Sequence, residues 1–361
     1  MTKRAYNFNA GPAALPLEVL QQAKEEIVDY QGIGMSLMEV SHRSKEYEKV
    51  NDETQELLLE LLGVTSGYKV LFLQGGASTQ FAMIPMNFLP AGKVASYVDT
   101  GSWADKAIAE AKLFGEVAIA AKSPTNPIAI PKLSEIQIHP DAAYLHITTN
   151  ETIAGSQWQQ FPDTGSVPLI ADMSSDILSR PLDVSKFALI YAGAQKNLGP
   201  AGVTIVIMRD DMVTDSPKHL PTMLRYSTYT KNNSLYNTPP VFPIYMVNLV
   251  LKWLKGKGGL AAVEKLNREK TDLIYNAIDS SGGYYRPIVA EDSRSRMNVT
   301  WRMETEELEK LFVKESAAAG FVGLGGHRSV GGLRASTYNA VPAEACKALV
   351  DFMQDFKRRN G

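Results

Sequence analysis

The chain of 361 residues has one cysteine, Cys346. A lone cysteine closes no intramolecular disulfide, and without Cys/His clusters the usual zinc sites are excluded too, so no metal ligand set is expected. A reducing cytoplasm fits this cysteine usage. Long apolar runs are also missing. No stretch is long enough to cross a bilayer, and the N-terminal MTKRAYNFNAGPAALP is polar and broken by proline and glycine where a signal peptide needs an apolar core. A soluble, cytoplasmic protein without membrane association is expected. Net charge is scarce as well: 37 Lys plus Arg against 39 Asp plus Glu leave −2. Nucleic acid is therefore not an expected partner, and any anion must be bound locally. The only basic run, the terminal KRRN, reads as a solvated last helical turn favoured by the helix dipole. Internal repeats and low-complexity stretches are absent.

What remains is the composition of an ordinary globular protein, 45% hydrophobic and 21% charged. Its length exceeds what one core usually supports, so two domains are expected. Pro16 opens a helical pattern, LEVLQQAKEEIVDY, which is expected to stop at Gly32 and Gly34. A second helix is expected from about Glu46 to Leu62, ending at Gly63. VLFLQGGASTQFAMIPMNFLP reads as a buried strand, a Gly-Gly turn and an apolar helix entered through Ser78 or Thr79. Short apolar runs follow: VASYVDT, YLHITTNET, PLIADMSS, FALIYAGAQ and VTIVIM. Their rhythm predicts an α/β architecture around a largely parallel sheet. Beyond an apolar helix from about Val241 to Leu254 and a restarted one in GKGGLAAVEKLNREK, strand-like MNVTWRM alternates with helical ELEKLFVKESAAAG and PAEACKALVDFMQDF. This places the boundary of a smaller α+β domain near residue 260: a large domain over 16–260, and a small one from 1–15 and 261–361.

Ligands of open α/β sheets sit at the carboxyl ends of strands. At one such end FALIYAGAQKNLGPAG puts Lys196 on a tight turn beside a core. Most lysines are solvated; a desolvated one loses proton affinity and becomes a nucleophile for an aldehyde, as Schiff-base catalysis requires. At another end, VPLIADMSSDI places Asp172, whose carboxylate needs a partner on burial. A pyridinium nitrogen would serve; capping the next turn, or pairing with Arg180, would serve equally. Gln74-Gly75-Gly76-Ala77-Ser78-Thr79 lets backbone amides approach an anion at a helix N-terminus, though it lacks both G-x-G-x-x-G spacing and a Walker lysine. SHR at 41–43 and GHRSVGGLR at 326–334 are either solvated patches or anion sites, and arginine forks suit carboxylate and phosphate.

Taken together, NFNAGPAALP (7–16), MEVSHRS (38–44), QGGAS (74–78), NETIAG (150–155), ADMSSD (171–176), YAGAQKNLGPAG (191–202), YNTPP (236–240) and GHRSVGGLRAS (326–336) resemble the phosphoserine aminotransferases over essentially the whole chain. These are fold-type I pyridoxal 5′-phosphate enzymes of the class V aminotransferase group. The resemblance implies an α/β large domain with a mainly parallel seven-stranded sheet flanked by helices, plus the smaller α+β domain. It makes Lys196 the Schiff-base lysine and Asp172 the pyridinium partner, with Trp103 stacked on the ring and Thr152 on the ring hydroxyl. Gly76, Ala77 and Gln195 would hold the phosphate with Asn237 and Thr238 of a neighbouring subunit, which implies a homodimer with shared active sites.

Arg334 would clamp the substrate α-carboxylate, while His42, Arg43, His327 and Arg328 would surround the distal anion, some of them from the partner. Histidines near neutrality can adjust to a phosphate or to a carboxylate. The implied reaction is amino transfer between glutamate and 3-phosphohydroxypyruvate, giving phosphoserine and 2-oxoglutarate in serine biosynthesis. A further part in vitamin B6 biosynthesis stays open. The competing readings are a class V enzyme acting on alanine, serine or glyoxylate, a cysteine desulfurase, which would need Cys346 as catalyst, and a silent binding protein on the same scaffold.

Overall fold

The computed structural model describes residues 4–213 and 216–361. Residues 1–3, placed by sequence in the small domain, lie outside the described residues. The central sheet has seven strands in the order Tyr68–Leu73, Thr204–Arg209, Leu189–Gly193, Leu169–Asp172, Ala142–Thr148, Val94–Asp99 and Glu116–Lys122. Thr204–Arg209 runs antiparallel to both neighbours. The other pairings are parallel, so the expected α/β architecture with a mainly parallel sheet is present. Val94–Asp99 and Leu189–Gly193 are buried at every position, as strands covered by helices on both faces must be.

Sequence reading passed over the edge strand Glu116–Lys122, in which only Ala120 is buried. It also misplaced two helix ends. The first helix, Leu17–Glu26, stops before reaching Gly32. The helix Gly76–Phe88 is not entered through Ser78 or Thr79: it starts at Gly76 behind a left-handed Gly75 (φ 89°). Thr79 already lies in the first turn, where its hydroxyl donates to the Gly75 carbonyl at 3.1 Å. A Cβ on Gly75 would fall 2.0 Å from that hydroxyl, so only glycine fits.

Two apolar clusters cover the two faces of the central sheet, one with Val70, Leu145 and Ile190, the other with Leu71, Tyr144 and Tyr191, and a further core gathers Phe8, Val299, Trp301, Phe312, Leu349 and Phe356. It lies around a three-stranded sheet of Arg286–Pro287, Asn298–Arg302 and Leu333–Ser336 and the helices Glu306–Ala318 and Ala343–Asn360. The long helix Gly259–Asp279 joins two of these: Leu260 and Val263 pack in the cluster of Val70, Ile274 and Ile278 in that of Phe8. The N-terminal arm joins them again. Tyr6–Asn7 pairs with Phe321–Val322, Phe8 enters the small core, and the arm then crosses to the large sheet. There the Ala13 N–H donates to the Gln195 carbonyl at 2.9 Å, and a Cβ on Gly11 would stand 3.3 Å from Lys196 Cγ. The arm thus roofs the stem of the lysine singled out from sequence.

Candidate active site

Lys196 follows Leu189–Gly193 on a turn closed by the Leu198 and Gly199 N–H groups on the Ala194 carbonyl. Its Nζ donates to Thr152 Oγ1 at 2.7 Å and stands 5.0 Å from the centre of the Trp103 ring. Burial lowers its pKa to about 8; Asp172 and Glu151 oppose that shift, and Arg334 adds to it. Asp172 ends the neighbouring strand, is 5% exposed, and accepts from the Ser174 N–H at 2.9 Å. Burial raises its pKa, against the Ser174 hydrogen bonds and the charge of Lys196. The Ser174 hydroxyl also accepts the Gly193 N–H at 3.1 Å, which locks the two strand ends together. The alternative pairing of Asp172 with Arg180 does not form. Arg180 donates to the Trp158 carbonyl, and among the described residues no ion pair holds Asp172.

Thr152 lies in the tight hairpin between Asn150–Glu151 and Ser156–Gln157, which is fastened to the small sheet. Asn150 donates to Asn298 at 2.8 Å, Thr300 to the Ala154 carbonyl at 2.7 Å, and Arg334 Nη1 to the Thr152 carbonyl at 3.0 Å. The strand Leu333–Ser336 thereby carries Arg334 to within two side chains of Lys196. Gly76 and Ala77 open the helix Gly76–Phe88, leaving its first N–H groups for an anion. The Gln195 amide folds back over Gly193, where a Cβ would fall 2.7 Å from it.

The other predicted residues lie on loops. His327 and Arg328 sit on the segment before Leu333, with Arg328 exposed. His327 is lowered in pKa first by burial and then by Arg334, Lys106 and Arg328. His42 lies 3.3 Å from the Thr238 hydroxyl, and Gln74 donates to the Thr238 carbonyl at 3.5 Å. Among the described residues no hydrogen bond ties His42, Arg43, Asn237 or Thr238 to Lys196, Asp172 or Thr152.

Two features escaped sequence reasoning. Glu151, fully buried, accepts from Thr100, Trp103 and Ala104; its only sequence signal was a carboxylate at a strand end next to Thr152. Glu309 accepts from Arg302 Nε at 2.7 Å and from the Met303 and Gly332 N–H groups, while Arg302 Nη1 donates to the Val330 carbonyl at 2.9 Å. The pair underlies the glycine-rich loop bearing His327 and Arg328, and a Cβ on Gly332 would fall 2.8 Å from Arg302 Cδ. No sequence spacing signalled it.

The site has a buried acid that no ion pair among the described residues holds at one strand end, an amine of lowered basicity at the next, and a half-buried indole. Among the described residues the indole Nε1 has no hydrogen-bond partner, and neither do the buried Arg334 Nε and His42 Nε2. Buried polar atoms of this kind call for a partner. An aromatic aldehyde with a basic ring nitrogen and a phosphate arm fits this set of groups. Cys346 does not compete for a catalytic role: it is buried in the small core, where its thiol is pushed up to about 11.

Comparison with known proteins agrees. The family described as aminotransferase class-V matches residues 5–349. Phosphoserine aminotransferase of Niallia circulans is 68% identical over 362 residues, spanning 100% of both chains. The solved phosphoserine aminotransferase from Bacillus circulans subsp. alkalophilus superposes with a TM-score of 0.99 at 67% identity, covering 100% of each. The PLP-bound phosphoserine aminotransferase from Trichomonas vaginalis does so with a TM-score of 0.92 at 43% identity, over 97% of this chain and 100% of that one. By sequence match over nearly its whole length and by fold, the chain belongs to the class-V aminotransferase family.

Proposed function

We propose that this chain transfers an amino group reversibly between L-glutamate and 3-phosphohydroxypyruvate, giving O-phospho-L-serine and 2-oxoglutarate, with pyridoxal 5′-phosphate as cofactor. The carrying observation is Lys196 Nζ held at 2.7 Å by Thr152 beside buried Asp172, in a chain matched end to end by phosphoserine aminotransferases. When bound, the cofactor supplies an aldehyde for the amino group and an electron sink for a carbanion at the substrate α-carbon.

The residues divide the remaining work. Lys196 Nζ, with a pKa of about 8, is the nucleophile toward the aldehyde and, once released, takes the proton from the substrate α-carbon and later returns one. Asp172 would keep a ring nitrogen protonated, Trp103 would cover the ring face, and Thr152 would orient both the ring hydroxyl and Lys196. Gly76, Ala77 and Gln195 would hold the phosphate arm. Arg334 would fork the substrate α-carboxylate, and His327 and Arg328 would meet the distal anion.

The site is completed in a homodimer, where His42, Arg43, Asn237 and Thr238 reach the partner's site. Two observations support this assembly. Among the described residues, those four form no hydrogen bond with Lys196, Asp172 or Thr152 within one chain. In addition, Met38 at 53% and Tyr236 at 49% exposure leave apolar surface close to them in sequence. The division into a large domain (16–260) and a small one (1–15 and 261–361) is supported by the separate core around the three-stranded sheet, and a cytoplasmic location by the single buried cysteine. No described helix is long and apolar enough to cross a membrane.

The test is steady-state turnover of glutamate with 3-phosphohydroxypyruvate against hydroxypyruvate. Charge-assisted bonds of roughly 1.5–3 kcal/mol each predict a preference of at least about 100-fold in kcat/KM for the phosphorylated acceptor. Equal turnover would remove the proposed substrate.

A further inference from the structure

Glu151 has no role in the chemistry above, yet its carboxylate is fully buried beside the site. Both of its oxygens are used. Oε1 accepts from the Ala104 N–H at 3.0 Å and from the Thr100 hydroxyl at 3.3 Å, and Oε2 accepts from the Trp103 N–H at 3.2 Å. The two N–H groups belong to the open first turn of the helix Ser102–Ala111, whose N-cap residue Gly101 offers no side-chain cap. Glu151 therefore caps that helix from another element 48 residues away, where the helix dipole favours negative charge.

Glycine at 101 eases this contact. Its φ of +145° is one that side-chain-bearing residues rarely adopt, and a Cβ there would lie 3.1 Å from Glu151 Cδ. The next residue along, Thr152, holds Lys196 Nζ. Glu151 and Thr152 thus tie the Trp103 backbone and the Lys196 amine to one short stretch of chain, itself fixed to the small sheet through Asn150 and Ala154.

We propose that Glu151 is a positioning residue that sets the Trp103 indole against Lys196, and so fixes the width of the slot that receives the cofactor ring. The proposal rests on the function given above. Truncating the side chain frees the first turn of the helix and lets the indole drift, whereas the lysine keeps its Thr152 hydroxyl. Glu151→Asp is one methylene short of the two N–H groups and behaves like truncation. Glu151→Gln keeps the length and an accepting oxygen, and so retains part of the effect.

The experiment measures pyridoxal 5′-phosphate affinity by titrating cofactor-free protein, and the visible circular dichroism of the loaded protein, for wild type, Glu151→Ala, Glu151→Asp, Glu151→Gln, Trp103→Phe and the double variant Glu151→Ala/Trp103→Phe. Loss of a helix cap predicts a roughly tenfold rise in Kd for the Ala and Asp variants, with a smaller rise for Gln. The dichroic band should weaken in the same order. In the double variant the two losses should be less than additive, because the carboxylate acts through the indole. A merely structural carboxylate would lower thermal stability without coupling to Trp103.

Unchanged Kd in Glu151→Ala, or strictly additive losses, would overturn the proposal while leaving the function standing. Failure of the wild type to bind the cofactor would overturn both. Should Glu151→Ala not fold, the Asp and Gln variants carry the same comparison.

Discussion

The floor and the rim of the site are built in different ways. On the floor, Asp172 and Thr152 are 5% and 3% exposed, stand at or next to strand ends, and are held by short hydrogen bonds within one chain. On the proposed rim, Arg328 and Arg43 are exposed loop residues, and among the described residues the buried Nε2 of His42 has no hydrogen-bond partner. Rigid elements suit chemistry that tolerates little displacement, whereas loops suit recognition of ligands that differ in size and charge. In the proposed reaction one rim must accept a phosphate or a carboxylate, while one floor serves both.

Damage to the floor should therefore cost rate and damage to the rim should cost affinity. The largest effect is expected from Lys196→Ala: turnover should fall by roughly 10⁴-fold, with far-ultraviolet dichroism unchanged. Asp172→Asn keeps the shape but not the charge, and kcat should drop about 10²–10³-fold with KM little altered. The lowered basicity of Lys196 gives a third test. Below about pH 8 its amine is protonated and unreactive, and above that pH it is free. Reductive trapping of a small aldehyde on cofactor-free protein should therefore rise through pH 8 and level off; a midpoint near 10.5, the ordinary lysine value, would contradict the burial argument. On the rim, Arg328→Ala should raise KM for phosphoserine by about 10–100-fold while the cofactor band stays as it is. The smallest effect belongs to Glu309→Gln, which loosens the loop under His327 and Arg328. A rise in KM of about three- to fivefold at constant kcat is expected from a partly exposed ion pair.

The same contrast governs what the sequence made legible. Asp172 and Lys196 could be found because each follows a run of apolar residues that can only be a buried strand, so a charge there stands out. Glu151 followed such a run too, but its three donors come from residues 100–104, and nothing in local spacing brings that helix to it. Arg302 and Glu309 are separated by a strand end and a helix start, and they meet only because the helix Glu306–Ala318 packs in the small core. The strand Glu116–Lys122 was missed for a related reason: an edge strand with one buried residue carries little hydrophobic signal. Gly75 was read as part of a turn, but its left-handed φ puts the helix start at Gly76, and the Thr79 side chain lies where a Cβ on residue 75 would fall.

The most direct test of the account is the visible absorption of the purified, cofactor-loaded protein before and after phosphoserine is added, with serine as the comparison. The account predicts a yellow band that phosphoserine abolishes at concentrations where serine leaves it intact. A band that responds to both alike would contradict the assigned rim, and no band after loading with pyridoxal 5′-phosphate would contradict the role given to Lys196.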